Sequence, residues 1–133
     1  MDLPALAERL TSLLAGHTGG LVAAYLFGSF ARGEARSTSD VDVAVLYADR
    51  PDSTLDAQPF GLAADLSIAL GRSVDVVVLN DAPADLVHRV LRDGKLLLET
   101  NPSARIAFEV KARNTYFDML PIWRRYRKQP EAH

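Results

Sequence analysis

The chain has 133 residues, of which 48% are hydrophobic and 24% are charged, a composition ordinary for one soluble globular domain. The absence of cysteine excludes disulfide bonds, Cys-ligated zinc, iron–sulfur clusters and a thiol nucleophile. A net charge of −2 gives no general attraction for nucleic acid. No apolar run approaches the roughly 20 residues that span a bilayer, and the acidic, amphipathic start is unlike a signal peptide. We therefore expect a cytoplasmic protein that binds neither nucleic acid nor a membrane directly.

Helices and strands are predicted to alternate along the chain. Leucines at helical spacing indicate the first helix, and short apolar or alternating runs indicate strands. In chain order, the sequence predicts a helix over 3–16, a strand over 21–27, a short helix after Gly28–Ser29, a strand over 41–47, a loop over 48–59, a helix over 60–70, a strand over 73–80, a helix over 83–94, a strand over 95–99 and a long helix over 104–128. Ser103 is expected to cap the last helix, and Pro121 to interrupt it. This order predicts an α/β or α+β domain, with a short sheet faced by helices.

Two aspartates lie one residue apart where the second strand begins. Asp40 and Asp42 should project to the same side, because alternate residues of a strand share a face. Two carboxylates this close repel each other, so a hard divalent cation such as Mg²⁺ is their natural partner. Asp75, the second residue of a valine-rich strand, would join them if the strands 41–47 and 73–79 are neighbours. Taken alone, these acids also fit outward-facing strand positions and a loop or cap.

A Gly-Ser pair follows the first strand. Gly28 permits close approach of the backbone, and a helix beginning after Ser29 would present free N–H groups that suit a phosphate. The pair belongs neither to a P-loop nor to a dinucleotide fingerprint, since GxxxxGK[ST] and GxGxxG are both missing. The functional indication comes from its combination with the DxD pair on the next strand and with Asp75 on a later one.

This combination resembles the nucleotidyltransferase superfamily that includes DNA polymerase β. The string GSFARGEARSTSDVDVAVL, from Gly28 to Leu46, is similar to the minimal nucleotidyltransferase (MNT) group, and Asp75 falls where the third carboxylate of the family is expected. The stretch FEVKARNTYFDMLPIWRRY, over 108–126, is similar to the tail of MNT antitoxins that are paired with HEPN toxins. The resemblance implies a single MNT domain over 1–133 with a polymerase β-like palm fold, in which helices flank a small mixed sheet of about four strands.

The same resemblance implies an activity. MNT antitoxins transfer AMP from ATP to a tyrosine hydroxyl of a HEPN toxin, which is an RNase, and so silence it. The implied cofactors are two Mg²⁺ ions, with ATP as the donor, and the implied partner is the HEPN toxin in a hetero-oligomer. Two alternatives stay open. A small-molecule (antibiotic-type) nucleotidyltransferase would need an acceptor-binding domain that the sequence does not indicate, and a non-catalytic antitoxin that masks its toxin would not need the three acids and the Gly-Ser turn.

The resemblance also assigns roles to individual residues. Asp40 and Asp42 would bridge the two metal ions, and Asp75 would bind the metal nearer the acceptor and could take the proton of the hydroxyl. The other predicted site residues are Gly28 and Ser29 as a cradle for the β- and γ-phosphates, Ser39 as support for the first carboxylate, and Arg32 and Arg36 as candidate phosphate contacts.

The long helix over 104–128 carries more apolar surface than a core-facing stripe needs. One interpretation is a helix buried throughout. The other, which we prefer, is that one side packs inward and the other meets the partner. We predict that the inward residues are Ile106, Val110, Phe117 and Leu120, and that the partner-facing residues are Tyr116, Met119, Trp123 and Tyr126.

Overall fold

Four helices and four strands build the structure, a computed structural model that describes residues 2–17, 19–49 and 60–128. In chain order they are α1 (Leu3–Ala15), β1 (Leu21–Phe27), β2 (Val41–Tyr47), α2 (Phe60–Leu70), β3 (Val74–Val78), α3 (Ala84–Asp93), β4 (Lys95–Glu99) and α4 (Pro102–Lys128), with a 3₁₀ turn at Leu79–Asp81. The four strands and the four longer helices predicted from the sequence are confirmed to within a few residues. Most of the predicted loop over 48–59 lies outside the described residues. Among the described helices, none combines the length and the apolar character needed to cross a membrane.

The strands form one mixed sheet in the order β3-β2-β1-β4. β1 runs antiparallel to both β2 and β4, whereas β2 and β3 are parallel. The central strands are buried on both faces, because α1 and α2 cover one face and α3 and α4 cover the other. Alternate residues of β1 divide between the layers: Ala24 and Leu26 pack under α1 and α2, and Ala23 and Tyr25 pack under α3 and α4. The predicted four-stranded sheet flanked by helices is therefore confirmed.

The segment after β1 is a turn and not the short helix that we predicted. Backbone hydrogen bonds close it, from the Arg32 N–H to the Gly28 carbonyl at 3.2 Å and from the Glu34 N–H to the Ser29 carbonyl at 2.9 Å. Gly33 has a φ of +73°, a left-handed conformation that ends a helical segment. The chain therefore reverses directly after the Gly-Ser pair.

α4 begins and continues differently from the prediction. Its cap is Asn101 and not Ser103, because the Asn101 side-chain oxygen accepts the Ala104 N–H at 3.1 Å. Pro102 takes the first helical position, where its missing N–H costs little. The helix also continues through Pro121 without interruption. Pro121 is exposed, so water can bind the carbonyl that its missing N–H leaves free.

The predicted orientation of α4 was wrong for Tyr116 and for three of the four residues predicted to face inward, whereas Leu120 is partly buried and Tyr126 is exposed, as predicted. Ala104, Phe108 and Ala112 pack against the core on the side of the sheet that α3 also covers. Tyr116 extends this inward side, since its ring stacks on His88 of α3 with the centroids 3.6 Å apart and an angle of 2° between the planes. Three of the residues predicted to face inward are instead exposed and form an apolar ridge on α4: Ile106 (51% exposed), Val110 (48%) and Phe117 (59%). The two inward alanines explain the difference, because small side chains let the helix approach the sheet closely.

A polar network also fixes the rotation of α4 about its axis. The Tyr25 O–H donates to Glu109 at 2.9 Å, Arg105 Nη1 donates to the same carboxylate at 2.6 Å, and Arg105 Nε donates to Glu99. Burial, and next the Glu109 carboxylate, raise the pKa of the Tyr25 hydroxyl, so that it stays protonated and continues to donate. The network holds the Glu109 side of α4 against β1 and β4, and the α4 ridge consequently points away from the sheet.

Candidate active site

Asp42 and Asp75 lie side by side on the parallel strands β2 and β3. They are partners in the register of the pair, and Phe27 of β1 is the partner of Asp42 on its other side. The condition on which Asp75 would join the DxD pair, that these two strands are neighbours, is therefore met. Burial raises the pKa of the Asp42 carboxyl, and repulsion from Asp75 and then Asp40 raises it further, while Arg32 lowers it. A hard divalent cation bound between Asp42 and Asp75 would relieve the repulsion between their carboxylates.

Gly28 brings the turn after β1 directly against Asp42. Its φ is +75°, and a Cβ atom at this position would lie 2.2 Å from Asp42 Oδ2. The sequence indicated that the missing side chain of Gly28 leaves space for a phosphate. The structure shows that this space also keeps the backbone of Gly28 clear of the Asp42 carboxylate. The Gly28–Ser29 turn and Asp42 therefore form one continuous polar surface.

This surface lines a cavity of ≈ 320 Å³ between the sheet and α3. The cavity is lined by Phe27, Gly28, Ser29, Arg32 and Asp42, and by Leu86, Arg89 and Asp93 of α3. The α3 residues were not predicted from the sequence. The one sign of them in the sequence is their spacing of three and four residues, which places them on a single helix face.

Asp93 is engaged by its neighbour on α3. Arg92 Nε and Nη2 donate to its two carboxylate oxygens, each at 2.9 Å, and these hydrogen bonds lower the pKa of Asp93. Arg89 makes no such pair among the described residues, so its guanidinium is available on the cavity wall. The α3 side of the cavity therefore offers one cation to an anionic ligand.

Asp40 borders a different cavity. It is exposed at the entry to β2 and lines a space of ≈ 600 Å³ together with Phe30, Ser39 and Arg72, among others. In the parts of the chain that the structure describes, no three acidic or histidine side chains gather closely enough to hold a metal ion. The pairing of β2 with β3 therefore places Asp42 and Asp75 side by side, whereas Asp40 lies at the entry to β2 and borders the other cavity.

Ser39 supports a turn rather than the Asp40 carboxylate. Its hydroxyl accepts the Arg36 N–H at 2.8 Å, and its own N–H donates to the Arg36 carbonyl at 3.0 Å. No hydrogen bond joins it to Asp40 within the described residues.

Arg32 lines the ≈ 320 Å³ cavity as well as pairing with Glu34 at 3.2 Å, while Arg36 lines neither cavity.

Replacing Gly28 with alanine should weaken binding of ATP, the donor that the family resemblance implies. The added methyl group would meet the Asp42 carboxylate at 2.2 Å, so either the turn or Asp42 must move. We expect the dissociation constant measured by calorimetry to rise about tenfold or more, which is about 1.4 kcal/mol. Gly20→Ala is the matched control, because Gly20 has a φ of +74° with nothing within 4 Å of its Cβ position. Equal ATP affinity in the two variants would show that the Gly28–Asp42 contact does not matter for binding.

Known proteins are similar to this chain over most of its length. The profile of the family described as polymerase beta, nucleotidyltransferase, matches residues 8–103, which include every predicted site residue. The protein adenylyltransferase MntA of Shewanella oneidensis is 35% identical over 109 residues, which cover 82% of this chain and 76% of MntA. A relative from Methanocaldococcus jannaschii is 32% identical over 93 residues, which cover 70% of this chain and 95% of the relative.

Solved structures share the fold. A crystal structure of a toxin–antitoxin with AMP-PNP matches with a TM-score of 0.78 and 32% identity, over 90% of this chain and 94% of that chain. A structure of the tri-AMPylated HEPN toxin of Shewanella oneidensis in complex with its MNT antitoxin matches with a TM-score of 0.73 and 29% identity, over 93% of this chain and 94% of that chain. Sequence and fold thus agree with the resemblance carried by the Gly-Ser and DxD motifs. The chain belongs to the polymerase β-type nucleotidyltransferase family, in the minimal nucleotidyltransferase group that includes MntA.

Proposed function

We propose that this chain transfers AMP from ATP to a tyrosine hydroxyl of a HEPN RNase toxin and thereby neutralises the toxin. The observation that carries the proposal is the Asp42–Asp75 pair beside the Gly28–Ser29 turn. The relatives support the same reaction, since MntA is a protein adenylyltransferase and a related antitoxin occurs in complex with a tri-AMPylated HEPN toxin.

The acidic residues are the proposed ligands of two Mg²⁺ ions. Asp42 and Asp75 present carboxylates on neighbouring strands, and Asp40 supplies the third from the entry to β2. When bound, the metal would neutralise charge on the phosphate and favour ionisation of the acceptor hydroxyl. Burial, and then repulsion from Asp75 and Asp40, raise the pKa of Asp42, and a bound cation would offset that repulsion.

The ≈ 320 Å³ cavity is the proposed site for the phosphates of ATP. The Gly28–Ser29 backbone lets phosphate oxygens approach closely, since Gly28 has no side chain. Arg32 and Arg89 lie on the walls of the same cavity, and guanidinium groups pair well with phosphate oxygens. Arg89 thus adds to the predicted site a cation that comes from α3.

The reaction is a single displacement at the α-phosphorus. The tyrosine oxygen forms a bond to that phosphorus, the bond from phosphorus to the bridging oxygen of pyrophosphate breaks, and pyrophosphate leaves. A tyrosine hydroxyl has a pKa of about 10, so a base must take its proton at neutral pH. We assign this role to Asp75, because it is exposed on the edge strand β3, where a protein acceptor can reach it.

The helix over 104–128 is the proposed partner-binding element. The α4 ridge exposes three large apolar side chains, and α4 carries seven basic residues against two acidic ones in a chain with a net charge of −2. This combination fits a partner surface with an apolar centre and an acidic rim. We therefore assign the α4 ridge to the toxin, in place of the Tyr116 side that the sequence suggested.

Co-expression with a HEPN protein encoded beside this chain tests the proposed function. Intact-mass spectrometry of the toxin should show added adenylyl groups, and these should be lost when the acceptor tyrosine is changed to phenylalanine. The RNase activity of the toxin should fall as the modification rises. A toxin silenced without added mass would indicate a masking antitoxin, whereas transfer to an antibiotic-type small molecule but not to the toxin would indicate the alternative transferase.

A further inference from the structure

Arg72 is held by both turns that border the site. Its Nη2 donates to the Ser37 carbonyl at 2.8 Å and to the Ser39 carbonyl at 3.0 Å, in the turn that leads to Asp40. Its Cζ lies 4.9 Å from the centroid of the Phe30 ring, in the turn that follows β1. One guanidinium therefore links the segment before the first aspartate to the segment of the Gly-Ser pair.

The backbone beside Arg72 is tied to the sheet and to α2. The Val41 N–H at the start of β2 donates to the Ser73 carbonyl at 3.0 Å. The Val74 N–H at the start of β3 donates to the Ser67 hydroxyl at 3.0 Å. Arg72 thus projects from a fixed point at the entry to β3, the strand that carries Asp75.

The Nη2 group of Arg72 is occupied by the protein, although the side chain also lines the ≈ 600 Å³ cavity. Its Nε is buried and has no hydrogen-bond partner among the described residues, and its Nη2 already serves two carbonyls. A buried N–H without a partner reduces stability, so hydrogen bonding alone does not account for this placement. What the side chain does provide is a rigid connection between three segments.

We propose that Arg72 is a positioning residue for the metal ligands. It holds the turn before Asp40 and the turn after β1 in a fixed relation to β3, so that Asp40 can act together with Asp42 and Asp75. The inference rests on the proposed function, and it identifies a residue that lies outside the Gly-Ser and DxD motifs.

Arg72→Met and Arg72→Lys test this role against Arg9→Met. Arg9 is an exposed arginine that donates to one carbonyl, of Ala69, at 3.3 Å, and is therefore a matched control. Hydrogen exchange of the Arg36 and Ser39 amides reports on the turn, and Mn²⁺ binding in the presence of AMP-PNP, followed by electron paramagnetic resonance, reports on the metal ligands. AMP transfer is measured in parallel, with kcat and the KM for ATP determined separately.

In Arg72→Met, we expect the Arg36 and Ser39 amide hydrogens to exchange about tenfold faster than in the parent. We also expect the variant to bind Mn²⁺ about 10- to 100-fold more weakly and its kcat to fall about 100-fold. Arg72→Lys should recover part of each loss, because it keeps the charge without the planar fork, and Arg9→Met should match the parent. If Mn²⁺ affinity were unchanged and the KM for ATP were raised, the proposal would be overturned in favour of a direct contact between Arg72 and the nucleotide. If amide exchange were faster throughout the protein, it would be overturned in favour of a general structural role. Because exchange and Mn²⁺ binding need no acceptor, they decide the role of Arg72 even if the parent transfers no AMP.

Discussion

Asp42→Asn should abolish AMP transfer and also raise the melting temperature of the metal-free protein. Removing a carboxylate that we propose as a metal ligand should forfeit several kcal/mol of transition-state stabilisation, which corresponds to a rate loss of roughly 10³-fold or more. Burial and the charges of Asp75 and Asp40 raise the pKa of Asp42, so the folded state favours its protonated form. The raised pKa therefore contributes to the stability of the fold below the ordinary pKa of an aspartate, and this contribution is lost as the pH rises through the raised pKa. At neutral pH the amide therefore removes an unfavourable charge.

Asp49→Asn is the control for this substitution. Asp49 is an exposed acid just beyond the other end of β2, so its amide variant should keep both transfer and melting temperature. Mg²⁺ should raise the melting temperature of the parent and of Asp49→Asn, but not that of Asp42→Asn. Asp75→Asn should also lose transfer while still binding Mg-ATP. Normal transfer by Asp42→Asn would contradict its role as a metal ligand, and a lower melting temperature would show that its charge supports the fold.

Phe117→Ala should release the partner without destabilising the chain. Phe117 is the most exposed member of the α4 ridge, and exposed substitutions usually change stability by no more than about 0.5 kcal/mol. A central apolar anchor contributes about 2 kcal/mol or more to an interface, so the affinity for the toxin should fall by roughly 30-fold. Calorimetry of the complex and thermal melting of the free chain measure the two effects separately.

Phe108→Ala makes the same change on the opposite side of α4. Phe108 packs partly buried against the core, so its loss should cost about 3 kcal/mol of stability, at the lower end for a phenylalanine truncation. Its affinity for the toxin, measured well below the melting temperature, should stay close to that of the parent. The reverse result, with Phe117→Ala binding normally and Phe108→Ala failing to bind while folded, would place the partner on the inward side.

The strands and the motif residues could be predicted because their signals are local. β1 is an apolar run, β2 is apolar apart from Asp42, and Gly28–Ser29 and the DxD pair lie within one short string. The helix expected after Ser29 did not form because the turn closes on itself and Gly33 takes a positive φ. Periodicity alone does not show this preference of a single glycine.

The orientation of α4 could not be predicted because both of its sides carry large apolar residues. Hydrophobicity favours Ile106 and Phe117 as core residues, but close packing favours the side with two alanines, and the Tyr25–Glu109 hydrogen bond selects the same side. Arg72 and Arg89 were not identified as site residues for a related reason. They lie far from the motif in sequence and reach the site only through the pairing of β2 with β3 and the docking of α3.

ATP labelled in turn at the α- and γ-phosphate tests the central claim most directly. The chain is incubated with Mg²⁺, its HEPN partner and each labelled ATP, and the denatured toxin is then examined for label. We expect the α-label to remain on a toxin tyrosine, the γ-label to leave with pyrophosphate, and both results to depend on Asp42. A toxin that carries the γ-label, or that is silenced with neither label attached, would contradict AMP transfer by this chain.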